Sequence, residues 1–174
     1  FIGHLSLSNR SWAANIIKSE IGNYEQASGR ALLAADALVD IYWKNRDPQC
    51  VEMAKKSMGA IMRGDFPVAV RASAGETAGW LGDERDLKKF VNIEGGSYDL
   101  EGLGYVHLEP FMISTYPVTN KWYEEFIAGG GYRKREYWSP EGCKWLEERK
   151  VTYPRFWYER KWRCPSGPVV GVNW

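Results

Sequence analysis

The feature that most constrains the fold of this chain is a change of composition near residue 90. Thirteen of its 14 alanines lie in residues 1–90, and six of its eight prolines lie beyond that point. Thirteen of its 25 aromatic side chains lie in residues 122–174. Alanine favours helices, whereas proline interrupts regular structure. The sequence therefore predicts two parts, a helical segment over residues 1–89 and a differently built domain over residues 90–174.

The first part has the spacing of short amphipathic helices. Apolar residues recur at i, i+3 and i+4 between Ala27 and Tyr42, and Asp47-Pro48 is typical of a helix start, with Asp47 as N-cap. Two further helices are predicted, over residues 11–21 and from residue 65 to residue 82. Glycines such as Gly79 cost helix propensity, and we expect the close approach of a neighbouring helix to offset that cost. Stacked pairs of this kind predict a HEAT-like α-helical segment, with a plain helical bundle as the alternative.

The second part alternates short strand patterns with turn residues. Strands are predicted at residues 90–93 and 110–116, separated by the glycines near residues 95 and 102–104. A helix is predicted over residues 121–128, capped by Thr119 or Asn120 and ended by the glycines that follow it. Ser139 and Pro140 predict another helix, with Trp145 and Leu146 buried. The fold class predicted for the whole chain is therefore α+β.

A series of motifs in residues 90–174 resembles a known family. In chain order they are Ile93-Glu94-Gly95-Gly96-Ser97-Tyr98, Phe111-Met112-Ile113, Tyr116-Pro117-Val118-Thr119-Asn120, Gly130-Gly131-Tyr132, Tyr137-Trp138-Ser139-Pro140-Glu141-Gly142 and Pro168-Val169-Val170-Gly171-Val172-Asn173-Trp174. Together they resemble the N-terminal half of the formylglycine-generating enzyme family, also called the sulfatase-modifying factor domain. The resemblance implies part of a C-type-lectin-like fold, a compact domain that is rich in loops.

The resemblance also implies an activity whose catalytic residues lie elsewhere in the family domain. Enzymes of this family oxidise a sulfatase cysteine to formylglycine, using molecular oxygen and copper held by a pair of cysteines in the C-terminal half. Neither Cys143 nor Cys164 matches that pair, so no catalytic residue or metal ligand is assigned to this chain. Copper or calcium is expected only if further residues of the protein supply ligands. An iron-dependent oxygenase of the same fold would need a histidine cluster, which His4 and His107 do not provide.

The helical part resembles a different context. An Ala/Gly-rich helix followed by Trp80-Leu81-Gly82-Asp83, and the stretch from Ala27 to Ile41, resemble the helical repeats of bacterial STAND-type (NACHT) signalling NTPases. That resemblance implies a cytoplasmic protein whose partners include upstream NTPase or effector domains of the same polypeptide. The P-loop pattern Gly-x-x-x-x-Gly-Lys-Ser/Thr does not occur in the sequence, so nucleotide binding by such a loop is not expected.

Charge and aromatic content indicate where a ligand would bind. The formal charge is +1, which disfavours unspecific binding to nucleic acid or to a membrane surface. Residues 121–163 nevertheless hold 11 basic and seven acidic side chains among many aromatic ones. Such a segment is typical of core packing in a domain with little regular structure, or of a surface that binds a protein partner. The candidate ligand-binding residues are Tyr132, Arg133, Arg135, Trp138, Trp157 and Tyr158.

Two functions follow from these observations. The preferred hypothesis is a non-catalytic region that recognises a protein ligand and acts as a scaffold in a larger STAND-type signalling or antiviral defence protein. The alternative is a copper-dependent formylglycine-generating oxidoreductase whose catalytic half lies outside this chain. Both treat the chain as a piece of a longer protein, because it begins at Phe1 and stops soon after the apolar pair Val169 and Val170. The sequence beyond Trp174 would discriminate between them.

Overall fold

The fold is described by a computed structural model that covers residues 10–41 and 46–172, with side chains described from residue 14 onward. The α-helices are α1 (Arg10–Gly22), α2 (Ser28–Asp40), α3 (Pro48–Arg63), α4 (Val68–Leu81), α5 (Asn120–Ala128) and α6 (Pro140–Arg149). The strands are β1 (Phe90–Ile93), β2 (Gly96–Leu100), β3 (Gly104–Leu108) and β4 (Phe111–Ser114). This mixed composition confirms the α+β prediction. In the described ranges no helix is both long and apolar enough to cross a membrane.

The described residues form two compact units. The first extends to Glu84 and includes Cys164–Gly167, and the second comprises Arg85–Arg163 together with the residues from Pro168 onward. The domain division predicted between residues 89 and 90 is not tested by this packing and stays a prediction.

In its described residues, the first unit has four helices around an apolar core. α3 packs against α4, α1 against α2, and α2 against α4. Its largest fully buried side chains include Ile17, Leu38, Met58 and Ile61, each of which contributes about 1.5–3 kcal/mol by burial. The four predicted helices are confirmed, but the arrangement as HEAT-like repeats stays a prediction.

Sequence signals define the ends of these helices accurately. The Asp47 carboxylate accepts a 3.0 Å hydrogen bond from the Cys50 N–H, which is the N-cap that the Asp-Pro pair predicts. α3 ends at Gly64, whose N–H donates back to the carbonyl of Ala60. At the end of α2 the Arg46 guanidinium donates hydrogen bonds to the carbonyl oxygens of Val39 and Ile41, at 2.9 and 3.0 Å.

Gly79 accommodates a different neighbour from the one expected. A Cβ at this position would overlap the side chains of Cys164 and Ser166, which belong to the same unit. The prediction that a neighbouring helix approaches here is therefore wrong for Gly79. A short turn from the end of the chain, which no helical periodicity could indicate, packs on this face of α4 instead.

The second unit holds two separate two-stranded antiparallel sheets. β1 pairs with β4, with Phe90 opposite Ser114, and β2 pairs with β3, with Gly96 opposite Leu108. β2 and β3 are not among the predicted strands, because they begin at Gly96 and Gly104, in glycine patterns that are typical of turns. Thr119 caps α5 by accepting from the Trp122 N–H at 3.2 Å, and Ser139 caps α6 by accepting from the Gly142 N–H at 3.1 Å. Both caps are among those that the sequence predicts.

Candidate functional site

An aromatic cluster at the centre of the second unit positions the candidate site. The rings of Tyr123 and Phe126 on α5 lie 5.2 Å apart, and Phe126 lies 5.6 Å from Tyr132. Tyr132 in turn lies 5.7 Å from Trp138, while Tyr123 lies 6.3 Å from Trp157. Such ring pairs add to the stability that burial alone provides, so they fix the loop between α5 and α6 despite its irregular backbone.

Three glycines turn the chain from α5 into this cluster. Gly129 ends the helix by donating to the carbonyl of Glu125, and Gly130 takes a φ of 81°, which favours glycine. Gly131 is buried directly against the Phe126 ring, where a Cβ would overlap the ring carbons. The turn therefore needs glycine at Gly130 for its conformation and at Gly131 for lack of space. It places Tyr132 in the aromatic cluster.

A surface cavity of about 280 Å³ opens beside this turn. We call it the basic-aromatic cavity. One side is formed by the loop that follows α5, and the other by α6 and the residues after it. Its lining residues are Tyr132, Arg133, Lys134, Arg135, Trp138, Cys143, Leu146, Glu147, Lys150, Val151 and Thr152.

The charges around the cavity are unbalanced. Four basic side chains line it, against one carboxylate, that of Glu147, which forms an ion pair with Arg135. Within the described part of the chain, the side chains of Arg133 and Lys150 have no ion-pair partner. The cavity therefore carries positive charge that its own acidic side chain does not neutralise.

The hydroxyl of Tyr132 is held inside the unit. It lies 3.0 Å from the Tyr123 hydroxyl, at hydrogen-bond distance. Burial, and then the hydrogen bond to Tyr123, raises the pKa of Tyr132 well above its ordinary value. Tyr132 therefore remains protonated at neutral pH, and it provides shape and a fixed hydroxyl rather than a base.

The structure brings together four of the six candidate ligand-binding residues. Tyr132, Arg133, Arg135 and Trp138 all line the basic-aromatic cavity. Their role in binding stays a prediction.

The other two candidates lie outside the cavity. Trp157 is buried at 6% exposure, and the Arg163 guanidinium lies 3.9 Å from its ring centre. Tyr158 is 79% exposed and packs beside Tyr153, at a ring distance of 5.3 Å. Trp157 thus belongs to the core of the unit, as the packing alternative for aromatic residues predicts, whereas Tyr158 belongs to its surface.

On the α6 side of the cavity, sequence reasoning had named only Leu146, which is half-buried, and had missed Cys143 and Lys150. Cys143, Leu146 and Lys150 lie three and four residues apart, the spacing that places side chains on one face of a helix. The expectation that Trp145 is buried is wrong, because its side chain is 38% exposed. Trp145 lies between Cys143 and Leu146 in the sequence and so points away from the face that these two share.

A metal site of three or more protein ligands is not found among the described residues. They bring no group of three or more His, Cys, Asp or Glu side chains together at metal-binding distance. Cys50 and Cys164 are buried and Cys143 is half-buried, and His107 is an exposed hairpin residue that lies 3.7 Å from Glu109. The copper that the resemblance implies for the family stays a prediction.

The family is identified by its match to more than half of the chain. Residues 78–174 match the family described as sulfatase-modifying factor enzyme 1-like domain. The chain belongs to this family. The motifs in residues 90–174 therefore predicted the family correctly, and the matched region begins 12 residues earlier, within α4.

Relatives of this sulfatase-modifying-factor-type chain include proteins named hercynine oxygenase. The chain is 42% identical over 67 residues to the protein from Mycolicibacterium thermoresistibile, a match that covers 38% of this chain and 15% of that protein. It is 40% identical over 67 residues to the protein from Mycolicibacterium smegmatis, covering 38% of this chain and 16% of that protein. The chain thus spans about a sixth of the length of these curated relatives. No solved structure matches it significantly.

Proposed function

We propose that the protein carrying this chain is an oxygen-dependent oxidoreductase of the sulfatase-modifying-factor type. The observation that carries the proposal is the family match over residues 78–174 together with identities of 36–42% to proteins named hercynine oxygenase. The name of these relatives, hercynine oxygenase, describes an oxygenase, and the resemblance implies oxygen as the oxidant for the family. This favours the enzymatic hypothesis over the recognition hypothesis that the sequence alone preferred.

Within that enzyme, the described residues would supply binding walls and framework. The aromatic cluster fixes the turn at Gly131, and that turn places Tyr132 and Trp138 beside the basic side chains of the cavity. Tyr132 stays protonated, and its hydroxyl is held by that of Tyr123. Arg133 and Lys150 present positive charge to the cavity. The metal that such chemistry requires, copper or iron, would be held by other residues of the protein.

The test uses the full-length gene product, purified without oxygen and loaded separately with Cu(I) and with Fe(II). Each form is supplied with hercynine or with a cysteine-containing peptide of the sulfatase type, in air and under argon, and products are identified by mass spectrometry. We expect conversion of one substrate, with one metal, only in air. Failure of both substrates with both metals would contradict the proposal, as would equal conversion under argon.

Recognition of a protein ligand is the second candidate function. The observation that favours it is the unneutralised basic and aromatic surface at Arg133 and Lys150, which would also suit a partner. In that form the four helices of the first unit would be HEAT-like repeats of a cytoplasmic STAND-type protein. The comparisons give no support to STAND-type signalling or to antiviral defence, so this function ranks below the enzymatic one.

Deletion in the native host separates the two candidates. Loss of a product of the oxidase reaction after deletion of the gene, with no effect on any signalling output, supports the enzyme. Two results together would support recognition: the full-length protein co-purifies with a protein partner in a stoichiometric complex, and the wild-type protein consumes no oxygen.

A further inference from the structure

The basic-aromatic cavity combines a cationic rim with an apolar wall, and both draw on the loop after α5 and on the α6 side of the cavity. The rim carries Arg133 from the loop and Lys150 from the end of α6. The wall is formed by Trp138, Leu146 and Val151. A ligand that satisfies both sides must join an anionic group to an apolar body.

The apolar wall is rigid because two contacts, a hydrogen bond and a ring contact, hold the indole of Trp138. Its Nε1–H donates a 2.7 Å hydrogen bond to the Gly131 carbonyl. Its ring packs against that of Tyr132, with the ring centres 5.7 Å apart and the ring planes at 35°. A ring held in this way loses little conformational entropy when a ligand packs on it. The wall is therefore preorganised for a flat or branched apolar group.

The rim suits an anion that offers two oxygens, such as a carboxylate. Guanidinium groups bind carboxylates through two parallel N–H···O bonds, and neither Arg133 nor Lys150 has an ion pair among the described residues. Glu147 already forms an ion pair with Arg135, so it leaves Arg133 and Lys150 available. For the same reason it would repel the carboxylate of a ligand only weakly. The volume, about 280 Å³, suits a ligand the size of one amino acid.

We propose that the basic-aromatic cavity binds the carboxylate of a small ligand, or of a chain terminus, that carries an aromatic or branched apolar body. Arg133 and Lys150 bind the carboxylate, and Trp138 contacts the apolar body. The proposal stands whether the protein is an oxidoreductase or a recognition protein, because it rests only on groups that line this cavity.

The chain contains its own reporter for this site. Cys143 lines the cavity and is half-buried, whereas Cys50 and Cys164 are buried. Alkylation by iodoacetamide at about pH 8 should therefore modify Cys143 first, and a bound ligand should slow that modification. Peptide mass spectrometry gives the rate at Cys143 separately from the other two sites.

The experiment compares matched probes on the full chain. Indole-3-acetate carries the carboxylate and the apolar body, indole-3-acetamide has the same shape without charge, and inorganic phosphate supplies an anion alone. A short peptide ending in tryptophan, with a free or an amidated C-terminus, shows whether a chain terminus is bound as well. We expect about tenfold slower alkylation at a ligand concentration about ten times the Kd. That protection is expected for indole-3-acetate, and for the free peptide if a terminus is the natural source.

Two variants make the test specific. Arg133→Gln should abolish the protection by indole-3-acetate, and Lys150→Gln should weaken it at least severalfold. Lys144→Gln is the matched control, because it removes one positive charge from α6 outside the cavity lining and should leave protection unchanged. Any one of four results would overturn the proposal. They are equal protection by indole-3-acetamide, stronger protection by phosphate, no protection by any carboxylate, and full protection by indole-3-acetate in correctly folded Arg133→Gln.

Discussion

The Trp138 indole Nε1–H donates a 2.7 Å hydrogen bond to the carbonyl oxygen of Gly131. This bond joins the glycine turn after α5 to Trp138, which lies directly before the N-cap of α6. Gly131 is buried and packs against the Phe126 ring, so the hydrogen bond links the cavity wall to the aromatic cluster. The geometry of the candidate site thus depends on a core contact, and its disruption should affect both stability and binding.

Replacing Trp138 with phenylalanine should therefore destabilise the second unit. The variant loses the hydrogen bond and leaves a buried carbonyl without that partner, at a cost of about 1–3 kcal/mol. Urea unfolding followed by circular dichroism measures the change. Trp145→Phe is the matched control, because Trp145 is 38% exposed on α6 and its replacement should change the free energy of unfolding by less than about 0.5 kcal/mol. Equal effects of the two replacements would contradict this account of the wall.

The first unit makes a separate prediction at Gly79. An alanine there would place its Cβ against Cys164 and Ser166, so the turn formed by residues 164–167 must shift. We expect Gly79→Ala to reduce the free energy of unfolding by about 1–3 kcal/mol. Gly29→Ala is the control, since its Cβ would meet nothing within 4 Å and the replacement should stabilise α2 by a few tenths to about 1 kcal/mol. A stabilising Gly79→Ala would contradict the observed packing of this turn.

The N-cap of α3 should make stability depend on pH. The hydrogen bond from the Cys50 N–H, aided by Lys18 at 3.6 Å, lowers the pKa of Asp47. Because the folded-state pKa is depressed, the stabilisation is fully present above the unfolded pKa of aspartate, near 4, and is lost as the pH falls through the folded pKa. Asp47→Ala should cost about 1 kcal/mol at pH 7.

Asp47→Asn separates the cap from its charge. It should retain most of the capping energy but lose this contribution to the acid-side pH dependence, measured by thermal melts between about pH 2 and pH 7. If Asp47→Asn kept the full pH dependence of the wild type, the titration would belong to another group.

The three thiols should differ in reactivity in a fixed order. Burial, and then the charge of Asp47, raises the pKa of Cys50 to about 11, and burial raises the pKa of Cys164. Since the thiolate is the reacting species, both should resist alkylation at about pH 8 while Cys143 reacts. Mass spectrometry of native and urea-unfolded samples measures this, and all three should react when unfolded. Native-state labelling of Cys50 as fast as Cys143 would contradict the described core.

Local signals in the sequence predicted most of the fold. Asp47 before Pro48 and Ser139 before Pro140 define helix starts that the structure reproduces with the predicted caps. These signals succeed because a cap acts over only three residues and depends on side chains that are adjacent in the chain. β2 was missed because its glycine start resembles a turn when the partner strand is unknown.

The candidate site was only half predictable. The loop side, at Tyr132 to Trp138, is a dense basic and aromatic run that is visible in the sequence. The α6 side depends on which helical face turns inward. Of the two residues expected to be buried, Leu146 lines the cavity, whereas Trp145 is exposed. The packing of Cys164 against Gly79 joins residues 85 apart in the sequence, and no local pattern carries that information.

The proposed function assigns two separate roles: these residues would bind and position the substrate, and other residues of the protein would hold the reacting metal. The most direct test is the metal content of the full-length protein after loading with Cu(I) or Fe(II), compared with a His107→Asn, Cys143→Ser double variant. These are the ligand-type side chains, among the described histidines and cysteines, that are not buried. The account predicts the same metal-to-protein ratio in both proteins, and a fall to near zero in the double variant would contradict it.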